Sequence, residues 1–163
     1  MSWLTDRQRH GGLDPVMVPE VGTLWLCGKH LIAPDPVAVL DDSGAGAVWC
    51  LNHEHELVDR YPGYVSWLRA DDRARWAPIH DLGVAPVEQM RSTVSGVIDD
   101  LGVHGAVVVH CAAGMGRAGT IAVLTLMTAG LSASEARRIV AESRPGAGPE
   151  SGAQADLVEN WSV

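Results

Sequence analysis

The stretch 106–120, AVVVHCAAGMGRAGT, constrains this chain more than any other. Residues 106–110 form a short apolar run with three consecutive valines, the pattern of a strand buried on both faces. Residues 119–129 are apolar on nearly every side and read as a buried helix closed by Gly130. Such a strand and helix in succession belong to the middle of an α/β sheet. Between them stand Cys111, five small or flexible residues, and Arg117. A loop entering a helix turns backbone N–H groups and the positive end of the helix dipole into its mouth, so it holds an anion. A cysteine set among such donors is a reactive one. Arg117 near a helix start, where the dipole disfavours a cation, needs an anion to face.

The remaining sequence supplies a frame for this loop. Residues 1–22 are polar with two prolines and are expected to form a loosely packed arm ahead of a single domain over 23–163. Strands are expected at 23–27, at 47–51, and at 75–81, the last running into a loop past Pro78. Residues 37–40 read as a short helix or a turn, and 57–70 as a helix broken at Pro62-Gly63. Val87, Met90, Val94, Val97, Ile98 and Leu101 recur at helical spacing after Pro86, with Gly102 as the stop. Ser132 and Glu135 form a capping box for a further helix, and 151–161 reads as the last one. The fold class is therefore α/β, a mostly parallel central sheet flanked by helices on both faces. Its reactive loop lies at the carboxyl end of the 106–110 strand.

Composition narrows the function classes. A formal net charge of −8 argues against non-specific binding to nucleic acid or to an anionic membrane surface. No apolar run approaches the roughly 20 residues of a membrane span. Residues 1–12 carry Asp6, Arg7, Arg9 and His10 and read as no signal peptide. The three cysteines cannot all pair, which fits a reducing, cytoplasmic location.

Residues 110–120, His-Cys-Ala-Ala-Gly-Met-Gly-Arg-Ala-Gly-Thr, resemble the His-Cys-x5-Arg signature of the cysteine-based protein tyrosine and dual-specificity phosphatases. The chain looks most like the compact dual-specificity and cyclin-dependent kinase inhibitor-associated phosphatases. No Gly-Lys-Ser/Thr follows the glycines, so the loop is not a Walker loop. The resemblance implies a dual-specificity-phosphatase-like fold and hydrolysis of phosphomonoesters through a phosphocysteine, with no metal or cofactor. It makes Cys111 the nucleophile and Arg117 the fork that grips two phosphate oxygens. Ala112, Ala113, Gly114, Met115 and Gly116 then line the phosphate with Arg117, and His110 orients the loop. Residues 76–81, with Pro86 downstream, are similar to the family's acid loop, which makes Asp81 the general acid. Gln154 stands where relatives place a glutamine that positions water. Phosphorylated proteins or small aryl phosphates are the implied substrates, because 112–116 carries no lysine to hold the extra phosphates of an inositol lipid.

Each assignment has a plainer alternative. Cys111 alone would be a packed core cysteine, and Asp81 an ordinary loop aspartate, with Asp71 and Asp72 in reserve. His110 reads equally as a satisfied core histidine, Gln154 as a surface glutamine, and Cys50 as a buried strand cysteine or a disulfide partner for Cys111. His53 and His55, two apart and lacking a third ligand, read as part of a solvated loop. Ala118 departs from the family pattern, in which Ser or Thr follows the signature arginine and bonds the departing thiolate. That departure opens a second function, a phosphate-binding pseudophosphatase that docks phosphoproteins. A lone Cys-x5-Arg would also suit sulfur transfer by a rhodanese, against which Gly116-Arg117 and the Asp81 loop speak.

Overall fold

In the computed structural model, which describes residues 11–162, the apolar runs pair into one sheet. Its strands are β1 (Asp14–Val18), β2 (Gly22–Gly28), β3 (Val48–Cys50), β4 (Ala74–Trp76) and β5 (Ala106–Cys111), in the order β1-β2-β5-β3-β4. β5 lies at the centre, parallel to β2 and to β3, and β4 pairs parallel with β3. Only β1 runs antiparallel. Val107, Val108 and Val109 are all fully buried, as an all-apolar strand must be when both faces are covered.

Among the described residues seven α-helices cover those faces: α1 (Lys29–Ile32), α2 (Pro36–Ser43), α3 (Pro62–Ala70), α4 (Val87–His104), α5 (Gly116–Thr128), α6 (Ala133–Ser143) and α7 (Ala153–Glu159). Val107 and Val109 share one core layer with α4, α5, α6 and α7. Val108 shares the other with α1, α2 and α3. The mostly parallel sheet with helices on both faces is thus present. Every residue of α5 from Arg117 to Met127 is buried, so this helix is apolar all round because it is covered all round. Each fully buried Ile or Leu there contributes about 1.5–3 kcal/mol of transfer free energy. No helix among the described residues is long and apolar enough to cross a membrane.

Three boundaries differ from expectation, each for a local reason. The arm expected over 1–22 is corrected in part: β1 occupies Asp14–Val18 and pairs along its length with β2, while residues 1–10 lie outside the described residues. Asp14, Val16 and Val18 face inward while Pro15 and Met17 face out, and an edge strand tolerates the proline. The strand expected at 75–81 stops at Trp76, although Ala77 and Ile79 still donate to the carbonyls of Cys50 and Leu51. Gly102 does not end α4; the helix runs on to His104, and Gly105, at φ 77°, takes the left-handed cap next to β5.

Candidate active site

β5 ends at Cys111, α5 begins at Gly116, and residues 112–115 turn between them. The carbonyls of this turn all find partners on its outer side. Ala112 O accepts from Lys29 N–H at 3.0 Å, Ala113 O from Arg144 Nη2 at 3.0 Å, and Gly114 O from Arg144 Nε at 2.9 Å. The peptides are trans, so each following N–H points the opposite way. The N–H groups of Ala113, Gly114 and Met115 therefore turn into the loop, where they join the free first-turn donors of α5 at Gly116, Arg117 and Ala118. Such convergence of backbone donors is an anion nest at a helix N-terminus. Gly114 is required at φ 72°, because a Cβ there would lie 2.5 Å from the Cys27 backbone.

Arg144 is the beam behind this nest. It has no exposed surface and also bonds Gly11 O at 2.8 Å, Gly12 O at 3.1 Å and the Asp14 carboxylate at 2.9 Å. It therefore ties β1 and its lead-in to the back of the loop. In the sequence Arg144 is only a cation at the end of α6 before Pro-Gly, which is also how an exposed helix end looks.

Arg117 is 2% exposed and is held by Glu56 in a two-pronged pair, Nη1 to Oε2 at 2.9 Å and Nη2 to Oε1 at 2.8 Å. Nη1 also donates to Ile79 O at 3.0 Å. A guanidinium has five N–H donors, so Nε and one hydrogen of Nη2 remain for an anion's two oxygens. Glu56 is the functional residue that sequence reasoning missed. Burial works to raise its pKa, but the bonds from Arg117, from His53 N–H at 2.7 Å and from Asn52 Nδ2 at 3.0 Å outweigh it and bring it to about 2. Lys29 Nζ sits on the same segment, donating to Glu56 O at 3.0 Å.

His110, without exposed surface, sits one residue before Cys111. Burial lowers its pKa to about 4, so the ring is neutral. Its Nδ1 lies 3.3 Å from the Cys111 carbonyl, which only accepts, so Nδ1 carries the hydrogen. Nε2 then accepts from the Tyr64 hydroxyl at 2.6 Å, and burial keeps that phenol protonated. The chain Tyr64–His110–Cys111 fixes the end of β5 from the α3 side. Cys27 and Cys50 belong to that same layer, whereas Cys111 belongs to the other. Burial pushes the Cys27 and Cys50 thiols up to about 12, in keeping with packed strand cysteines.

Asp81 lies on the opposite rim. Its side chain is 71% exposed, and Oδ1 stands 3.6 Å from Arg117 Nη2 and accepts from Leu82 N–H at 3.0 Å. The turn closes on itself through Gly83 N–H to His80 O at 3.0 Å. Asp71 and Asp72 precede β4, at the amino end of the parallel strands and away from the loop; Asp71 is spent on Arg73 at 2.9 Å. Gln154 is fully buried rather than superficial, with Nε2 donating to Gly83 O at 3.0 Å and Oε1 accepting from Glu150 N–H at 2.9 Å. His53 stacks on His55 at 5.5 Å and meets the His80 ring at 5.0 Å. No group of three His, Cys, Asp or Glu among the described residues converges as metal ligands.

This geometry unites a buried cysteine, a buried and oriented guanidinium, a ring of backbone donors and an exposed carboxyl. A family model for the "Swiss Army Knife protein, DSP-PTPase phosphatase domain" matches residues 36–154. The chain belongs to that family. The matched segment carries Glu56, Asp81, the whole 110–117 loop and Gln154. Among solved structures, Tk-PTP in its active form is 25% identical with a TM-score of 0.69, covering 89% of this chain and 93% of its own. Kinase associated phosphatase with its catalytic cysteine changed to serine is 15% identical with a TM-score of 0.75, covering 90% and 91%. The human tyrosine phosphatase-like serine/threonine/tyrosine-interacting protein is 20% identical with a TM-score of 0.69, covering 90% and 93%. The last two likenesses are of fold. No curated protein matches the chain. Within this DSP-PTPase domain Ala118 has no exposed surface, and Thr120 does not stand in for a hydroxyl there. Thr120 Oγ1 donates to Gly116 O at 2.7 Å and has Gln154 Oε1 at 3.2 Å, one helical turn further on.

Proposed function

We propose that the protein hydrolyses phosphomonoesters, phosphotyrosine or phosphoserine/threonine in proteins or small aryl phosphates, through a phosphocysteine. The observation that carries this reading is Arg117, buried, held edge-on by Glu56 and left with two unspent donors beside the nest. A guanidinium desolvated and oriented at that cost fits one job, holding two oxygens of a phosphoryl group in line with Cys111 Sγ. Cys111 attacks phosphorus as the bond to the leaving oxygen breaks, and the equatorial charge falls on the backbone N–H groups and Arg117. Asp81 gives its proton to the leaving oxygen, then takes one from the water that splits the phosphocysteine and returns the thiolate. Neutral His110 holds the Cys111 carbonyl and takes no part in proton transfer.

The test is hydrolysis of para-nitrophenyl phosphate with EDTA present, comparing the parent with Cys111→Ser and Asp81→Ala. Turnover that disappears with the first change and falls by about 10²-fold or more with the second is the expected result. A parent that binds vanadate or phosphopeptide without turnover would replace this reading by the pseudophosphatase.

A further inference from the structure

We infer that Gln154 is a latch on the acid loop, a positioning residue for Asp81 in phosphoryl transfer to the enzyme. The inference rests on the phosphatase reading above. The amide orientation is fixed by its partners: Glu150 N–H can only donate to Oε1, and Gly83 O can only accept from Nε2. Gly83 stands two residues beyond Asp81 and closes the turn that carries it, through its N–H to His80 O. Only the tip of that turn is open: Leu82 is 65% exposed and adopts φ 61°. Its legs are anchored on both sides, Ile79 in the core with Arg117 Nη1 on its carbonyl, and Gly83 with Gln154 Nε2 on its carbonyl just ahead of Val84, which packs against the core. Asp81 is slung between them. Gln154 in turn is seated by Glu150 N–H, with Thr120 Oγ1 of α5, the helix that opens with the nest, 3.2 Å from its Oε1, so the amide lies between the acid loop and that helix. Orienting water for phosphocysteine breakdown is a separate role, one that would draw on the second Nε2 hydrogen and the second lone pair of Oε1.

The two roles act on different half-reactions, and leaving groups separate them. Asp81 protonates the leaving oxygen, so mispositioning it costs most with a poor leaving group and little with a good one. Gln154→Met keeps the length and neutrality of the side chain but removes the N–H facing Gly83 O, while Gln154→Asn keeps the amide but withdraws it by one methylene. On the full chain, kcat/KM for both variants is expected to fall about tenfold or more on phenyl phosphate and by less than about twofold on dinitrophenyl phosphate. Combined with Asp81→Asn, neither should lower kcat/KM on phenyl phosphate further. Vanadate inhibition should stay within about twofold of the parent, as the cradle is untouched. A loss equal across leaving groups, or a loss confined to phosphoenzyme breakdown with kcat/KM unchanged, would overturn the latch. If the Met variant fails to fold, the Asn variant decides alone. A parent inactive on every aryl phosphate overturns the phosphatase reading and the latch with it, whereas an active parent with flat variants overturns the latch only.

Discussion

The loop 111–117 and the loop 79–85 border the same mouth, but they are secured by different means. Every outward carbonyl from Ala112 to Gly114 is held by another element, and the residues that hold or orient the loop, Arg144, Tyr64 and His110, are buried. The acid loop starts in the core at Ile79, but it is exposed at Asp81 and Leu82, and beyond them Gly83 is held by the Gln154 amide. Phosphate binding asks for donors that need no reorganisation when charge develops, whereas a general acid must admit a substrate and release a product. The first loop is built into the core for that reason, and the second is laid over it. Stability and activity should therefore separate between the two.

The sharpest way to break this contrast is to exchange the consequences of mutation. Arg144→Met removes the beam, taking the guanidinium from the buried Asp14 carboxylate and the donor from several backbone carbonyls. It should cost about 3–5 kcal/mol in urea unfolding, with activity lost alongside. Asp81→Asn should do the reverse: unfolding free energy within about 0.5 kcal/mol of the parent, and turnover reduced by about 10²-fold or more. A parent-like stability for the Arg144 variant would mean the loop holds its own shape.

Acid should find the rigid loop first. The unfolded chain protonates His110 as pH falls through about 6.5, but the folded chain holds it neutral to about 4, so unfolding takes up a proton between these values. Stability from this residue is complete above pH 6.5 and is lost as pH falls toward 4. Glu56, down from 4.5 to about 2, adds a second loss of the same sign at lower pH, as its carboxylate is neutralised away from Arg117. Urea midpoints measured across this range should slope for the parent and flatten between pH 6.5 and 4 for His110→Asn. Parallel curves would count against the buried neutral ring.

What the sequence made legible and what it concealed follow the same division. The valines of β5, the glycines after Cys111 and the periodicity of α4 are local patterns, so the sheet centre and the nest could be read directly. Glu56 acts on Arg117 across 61 positions, Tyr64 on His110 across 46, and Arg144 on Asp14 across 130. No short-range pattern announces such pairs, since each residue alone looks like a loop acid, a packed tyrosine or a capping arginine. β1 was concealed for a related reason: Asp14 and Pro15 argue against a strand until Arg144 meets the one and the sheet edge accommodates the other. Gln154 read as plausibly superficial because its burial depends on Gly83, Glu150 and Thr120 arriving from three separate segments.

The smallest expected effect sharpens the comparison inside the rigid loop itself. Ala118 is buried on the first turn of α5 and brings no hydroxyl toward Cys111, and the nearest alternative, Thr120, is committed to Gly116 O. In the proposed mechanism the attacking step gains nothing from a hydroxyl at 118, because the nest and Arg117 would already carry the phosphoryl charge. Breakdown of the phosphocysteine differs, since charge then returns to sulfur and one donor near it is worth about 1–1.5 kcal/mol, or roughly tenfold in rate. The parent should thus show a pre-steady-state burst of nitrophenol followed by slow turnover. Ala118→Ser should shrink the burst and raise kcat toward tenfold while leaving kcat/KM within about twofold. A burst and kcat both unchanged by the substitution would mean that breakdown is not the slow step, and that the acid loop, not the cradle, sets the pace of turnover.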